Sequence, residues 1–184
     1  MTTFEHKNRE KAAAGEPMPE SLSRWVEEKR LANLILETVR RIGENGLNPV
    51  APASAGVAYR PHTLLAVVTY CYAVGIYGSQ DIETLMREDH AFRSLCGQEY
   101  PDWRTIRRFR RHNREAIYRS LAATFREAWR LQARGREQTP AAPNPSATWT
   151  ATSRIPAPSQ EQIYDEAEER IERAMFIDSM ATDD

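Results

Sequence analysis

The sequence predicts an all-α protein: a compact helical domain with a helix-turn-helix-like pair, followed by a proline-rich linker and an acidic amphipathic helix. Along most of the chain, apolar residues recur at spacings of three and four, which is the period of one helix face. Prolines and glycines cluster between these stretches and indicate the connections. A chain of 184 residues allows one ordinary core with additional segments.

Four segments follow from this pattern. Residues 1–19 are charged and aperiodic, which predicts a disordered lead. The helical domain is expected over residues 20–136 and an acidic C-terminal helix over residues 160–184. Between them, residues 137–159 are predicted to be a flexible linker, because five prolines are interspersed with Ser, Thr and Ala.

The first two helices have recognisable ends. Ser21 or Ser23 can cap the first helix, and Gly43 is expected to end it. Pro61 suits the first turn of the second helix, because its missing N–H would have no helical partner there. The apolar run over residues 64–77 predicts that this second helix is buried at the centre of the domain.

The third and fourth helices form the predicted helix-turn-helix-like pair. Gly78 is expected to end the second helix, and Ser79 to cap the third, over residues 79–89. Asp102 is the predicted cap of the fourth, over residues 102–112.

Two longer helices complete the prediction, one over residues 114–134 and one over residues 160–180. The last has acids on one face and apolar residues on the other, without a neighbour in sequence to cover the apolar face. Those apolar residues include Ile163, Ala167, Ile171 and Met175.

Charge is strongly segregated along the chain, although the formal net charge is only −1. Residues 102–136 contain eleven arginines and three acids, a net charge of +8. Residues 159–184 contain nine acids and two arginines, a net charge of −7. Such asymmetry indicates a polyanionic partner for the basic part, or an acidic tail that competes for it.

The fourth helix concentrates the basic charge. Helical spacing turns Trp103, Ile106 and Phe109 towards the core and leaves a cationic face that fits a major groove. We expect groove and phosphate contacts from Arg104, Arg107, Arg108 and Arg111. Further contacts to the DNA backbone are expected from Arg110, Arg114 and Arg60.

Five short stretches between Tyr59 and His112 stand out. They are YRPHTLL (59–65), YAVGIYGS (72–79), DIE (81–83), REDHAFR (87–93) and PDWRTIRRFRRH (101–112). In order and spacing they resemble the N-terminal domain of InsH-type insertion-sequence transposases, over about 54 of the 184 residues. The resemblance implies a helical domain that precedes an RNase H-like catalytic domain and helps to recognise the terminal repeats of a mobile element.

The chain departs from that family after Arg136, where the linker replaces the catalytic domain with its metal-binding Asp, Asp and Glu. We therefore predict no catalytic residue, no metal site and no cofactor. Cys71 and Cys96 lack metal-binding spacing and are expected to be packing residues. Since there is no apolar run of about 18 residues and no signal-peptide core, we expect a cytoplasmic protein.

These observations predict a DNA-binding protein derived from a transposase, not an enzyme, with double-stranded DNA as its partner. A homo-oligomer or a separate transposase subunit is a further candidate partner. Two alternatives remain: a protein-interaction or oligomerisation module, and a transposase remnant without activity. The acidic helix is expected to fold back onto the basic helices and compete with DNA, or to present its apolar face to another chain.

Overall fold

Helices are the regular elements of the computed structural model, which describes residues 18–43, 47–49, 59–89, 92, 95–97, 100–137 and 157–181. No strand occurs in these ranges, and the all-α prediction is confirmed. The elements are a 3-10 turn at Leu22–Arg24, α1 (Glu28–Ile42), α2 (Pro61–Val74), α3 (Ser79–Glu88), α4 (Trp103–His112), α5 (Arg114–Glu137) and α6 (Gln160–Met180). Most of the predicted lead and most of the predicted linker lie outside the described residues.

The predicted first helix is divided in two. Ser21 caps only the short turn Leu22–Arg24, and α1 begins at Glu28, after Glu27 with a non-helical ψ of 139°. The break allows Leu22 and Val26 to be buried together, with the backbone N–H of Val26 donating to the carbonyl of Leu22 at 3.0 Å. The prediction of one continuous helix from Ser21 is therefore wrong.

The second helix begins at Pro61, as predicted, but ends earlier than expected. Gly75, not Gly78, follows its last residue, with a left-handed φ of 89° that favours glycine. The N–H of Ile76 then donates to the carbonyl of Cys71 at 2.8 Å. This closing bond places Gly78 in the extended connection to α3, where the sequence had predicted the helix end.

The core is built around α2, which is buried from Leu64 to Ala73. The long helix α5 packs against α1, α2 and α6. Ile163, Ala167 and Ile171 of α6 lie in the same core cluster. The apolar face of the acidic helix is thus covered by the chain itself.

Local signals explain how α6 begins. Ser159 and Gln162 form a capping box: the Ser159 hydroxyl accepts from the N–H of Gln162 (3.1 Å), and the Gln162 side chain accepts from the N–H of Ser159 (2.8 Å).

Across the part of the chain that the structure describes, no helix is both long and apolar enough to cross a membrane.

Candidate nucleic-acid interface

Two carboxylates fix the N-terminal end of α4. Asp102 accepts a hydrogen bond from the N–H of Thr105 (2.7 Å), as predicted for the capping residue. Glu83 of α3 accepts from the N–H of Trp103 (3.0 Å). Because the first N–H groups of a helix have no partner within it, these bonds determine where α4 begins and how it meets α3.

Three of the predicted arginines lie on the solvent side of α4. Arg104 and Arg111 are exposed and Arg108 is partly exposed, whereas Phe109 on the opposite side is fully buried. The Arg104 guanidinium carbon lies 4.3 Å from the centre of the Trp103 ring, a cation–π contact that restricts its orientation. We call Arg104, Arg108 and Arg111 the α4 arginine face.

Arg110 lies in the core, although the sequence predicted a contact with the DNA backbone. Its side chain is 4% exposed, pairs with Asp178, and donates to the Tyr72 hydroxyl (3.0 Å) and the Tyr77 carbonyl (2.9 Å). Burial raises the pKa of Tyr72 to about 12, with the positive charge of Arg110 opposing the rise, so this hydroxyl is neutral at physiological pH. In this structure the Arg110 guanidinium is enclosed by protein and does not reach the surface.

Arg107 is also held by α6 rather than directed to solvent. Its Nε lies 3.4 Å from a carboxylate oxygen of Asp178, and its guanidinium donates to the Asp178 carbonyl. The same carboxylate accepts from the backbone N–H of Ser79 (3.0 Å) and from the Ser79 hydroxyl (2.9 Å). Asp178 therefore caps α3 from a distant helix and joins α3, α4 and α6.

The predicted capping role of Ser79 is replaced by this arrangement. Ser79 is the first residue of α3, after Gly78 as N-cap, and its hydroxyl donates to Asp178. The backbone N–H of Ser79 donates to the carboxylate of Asp178, which lies 99 residues later in the sequence. A cap supplied by another helix leaves no signal in the neighbouring sequence.

The two remaining predicted arginines lie outside α4. Arg114, the first residue of α5, is within 3.5 Å of Glu168 and 3.7 Å of Glu172 on α6. Arg60 is exposed immediately before α2. The seven predicted arginines therefore do not form one surface. Three form the α4 arginine face, three contact acids of α6, and Arg60 precedes α2.

Two buried charged residues of α6, Arg170 and Asp178, organise the fold but were not predicted to do so from the sequence. Arg170 is 1% exposed and donates to the carbonyls of Tyr72 (2.7 Å) and Ala73 (3.2 Å), which belong to the last turn of α2. Both residues share the apolar stripe of α6 with Ala174. The sequence did contain a signal for their burial, because each is a charged residue at a position of the apolar stripe of α6.

The described residues include no group of three or more His, Cys, Asp or Glu side chains that could hold a metal ion. Cys71 and Cys96 are both buried and unbridged, as expected for packing residues. Burial raises the pKa of the Cys71 thiol well above its usual value, so this sulfur is not an activated nucleophile.

Comparison with known proteins gives one family match. A family model described as a transposase domain (DUF772) matches residues 20–112, about half of the 184-residue chain. The match includes α1 to α4 and hence the α4 arginine face. No curated protein and no solved structure matches the chain.

Proposed function

Since the chain belongs to the family of transposase domains (DUF772) and is a transposase-related protein, we propose that it binds double-stranded DNA through the α4 arginine face. The observation that carries the proposal is the division of arginines on α4. Arg107 and Arg110 are held by Asp178, while Arg104, Arg108 and Arg111 lie on the outer side. The helix is thus fixed to the core on one side and cationic on the other.

The chemistry of this face fits a duplex. Arginine binds phosphate through two parallel N–H groups and can contact guanine O6 and N7 in the same way, whereas lysine acts as a point charge. Residues 102–136 contain no lysine. Carboxylates fix the start of α4, so its exposed arginines project from a defined position. The DNA sites that we propose are the ends of a mobile element, with a regulatory role in transposition as the alternative.

We expect the double substitution Arg104→Ala/Arg111→Ala to lower the affinity for DNA and to make that affinity less dependent on salt. Each neutralised phosphate contributes about 0.9 to the slope of log affinity against log salt, so the slope should become smaller by roughly 1.8. If one of the two arginines reads a base, sequence preference should relax instead. Titration of a labelled duplex at several salt concentrations measures both quantities.

The matched control removes two exposed arginines of α1, Arg30→Ala/Arg40→Ala, and should leave the slope unchanged. Both variants should unfold at the wild-type denaturant concentration, because all four side chains are exposed. A folded Arg104→Ala/Arg111→Ala protein with wild-type affinity, slope and preference would refute the assignment of the α4 arginine face.

We also propose that this chain does not cut or join DNA by itself. Transposase chemistry places two metal ions about 4 Å apart between carboxylates. In the described part of α6, Asp178 and Glu168 instead contact arginines. Purified protein with supercoiled plasmid and Mg²⁺ or Mn²⁺ should give no nicked or linear product. Nicking that persists through purification and is lost in a variant such as Asp165→Asn would contradict this expectation.

One observation favours a second candidate, a protein-interaction or oligomerisation module. Three apolar residues at the end of α6 are exposed: Phe176 (65%), Ile177 (37%) and Met180 (71%). Salt distinguishes the two functions, because DNA affinity falls steeply with salt while an apolar contact hardly responds.

A further inference from the structure

A second line of arginines runs along α5, apart from the α4 arginine face. Arg119, Arg130 and Arg134 are exposed and Arg126 is partly exposed. Their spacing of seven, four and four residues places them on one side of the helix. The other sides of α5 pack against α1, α2 and α6. We call these four residues the α5 arginine stripe.

Among the described side chains, one of the four arginines of the stripe has a carboxylate partner, whereas some exposed arginines elsewhere are paired. Arg41 and Arg87 each pair with a glutamate one turn earlier, at 2.6 Å. Within the stripe, Arg130 pairs with Glu127 at 2.6 Å. No ion pair joins Arg119, Arg126 or Arg134 to a carboxylate among the side chains that the structure describes.

The spacing of the stripe is unfavourable for an isolated helix. Arg126, Arg130 and Arg134 follow one another at intervals of four residues, so each is one helical turn from a like charge. Exposed like charges at this spacing destabilise a helix slightly, and a bound polyanion would relieve that repulsion. From Arg119 to Arg134 the stripe is about 22 Å long, at about 1.5 Å per residue. That length corresponds to roughly six base pairs of duplex, at about 3.4 Å per pair.

We infer that the α5 arginine stripe is a second DNA-contacting surface, which binds the phosphate backbone without reading sequence. This inference rests on the proposed DNA binding and adds a separate surface to it. Phosphate is the chemical group that fits, because the one acid between Arg126 and Arg134 is Glu127, which is already paired with Arg130. The two surfaces have different roles: α4 determines which duplex is preferred, and α5 adds affinity for any duplex.

The test is the triple variant Arg119→Gln/Arg126→Gln/Arg134→Gln, which keeps the paired Arg130. Glutamine preserves helix propensity and much of the side-chain length. The salt slope should become smaller by roughly 2.7, at about 0.9 per phosphate, and affinity should fall equally for all duplex sequences. The corresponding triple lysine variant keeps the charge and should retain most of the wild-type slope.

The matched control removes three exposed arginines of α1, Arg30→Gln/Arg40→Gln/Arg41→Gln, and should not change the slope. The Arg104→Ala/Arg111→Ala variant, measured in parallel, separates this inference from the proposed function. If that variant loses slope while a folded α5 triple variant keeps it, the stripe inference fails and the proposed function stands. If the wild-type protein binds no duplex, both fail.

One further outcome would overturn the inference in favour of another partner. The stripe could bind the acidic face of α6 in a second copy of the chain. Sedimentation of the wild-type protein without DNA would then show salt-sensitive self-association that the α5 triple variant lacks, with an unchanged DNA salt slope in that variant. The inference instead requires the same oligomeric state for both proteins and a smaller slope in the variant.

Discussion

Replacing Arg170 by methionine is expected to lower the free energy of unfolding by about 3–5 kcal/mol, although the residue lies in the most acidic segment of the chain. The side chain is fully buried and pairs with Glu166 through Nε at 2.8 Å. Its guanidinium carbon also lies 4.8 Å from the centre of the Phe125 ring on α5. Methionine would fill part of the volume but could donate no hydrogen bond.

The remaining bonds of Arg170 explain the expected size of the effect. They reach four backbone carbonyls, two at the end of α2 and two in the segment that enters the domain. The acceptors are Tyr72 (2.7 Å), Ala73 (3.2 Å), Glu20 (2.9 Å) and Pro19 (2.6 Å). A buried carbonyl that loses its donor costs about 1–3 kcal/mol, and a positive charge at a helix C-terminus is favourable as well.

Urea unfolding of the wild-type and variant proteins measures this effect. The matched control is Arg173→Met, one turn later, because Arg173 is 42% exposed and its pairs with Glu20 and Glu169 lie at the surface. It should cost less than about 1 kcal/mol. Arg170→Lys should recover only part of the stability, because lysine lacks the planar fork that reaches several carbonyls. Equal stability of Arg170→Met and Arg173→Met would show that the buried bonds contribute little.

The features that sequence analysis predicted correctly are those with a local cause. Pro61 lacks an N–H and so begins a helix, and Asp102 accepts from an N–H three residues later. The features that it missed depend on residues far apart in the chain. Ser79 could be judged as a cap only from its neighbours, whereas its partner Asp178 lies 99 residues away.

The arginines illustrate the same limit. Helical spacing placed Arg104, Arg108 and Arg111 on one face, and the structure has them on the solvent side of α4. Arg110 lies four residues after the buried Ile106, so its position on the inner side was visible in the sequence. An arginine can occupy this buried position because Asp178 on α6 pairs with it, and the sequence did not indicate that partner. Charge patterns alone do not distinguish an arginine that binds a ligand from one that is paired in the core.

The acidic helix lies against helices of its own chain, which also cover the apolar face that the sequence offered to another chain as an alternative. Glu168 and Glu172 contact the exposed Arg114, where they add negative charge near the basic helices. Ile163 and Ala167 are buried in the core of the same chain. Deleting α6 would remove core packing together with the acids, so single substitutions are needed to separate the roles.

Asp178→Ala is the second substitution with a large expected effect, a loss of about 3–5 kcal/mol in the free energy of unfolding. It leaves the buried Arg110 without its carboxylate, and the N–H of Ser79 without an acceptor. An uncompensated buried charge costs far more than a lost surface pair. The control Glu168→Gln/Glu172→Gln removes two acids from the exposed side of the same helix and should cost less than about 1 kcal/mol.

A paired replacement tests whether the loss comes from the stranded arginine. In Arg110→Met/Asp178→Leu both buried charges are replaced by apolar side chains, which in other proteins is often neutral or stabilising. Urea unfolding should therefore show the double variant to be more stable than Asp178→Ala, although Arg107 and Ser79 still lack the carboxylate of residue 178. If the double variant is no more stable than Asp178→Ala, the cost lies in the cap of α3. If Asp178→Ala is as stable as the glutamine control, Asp178 does not join the three helices energetically.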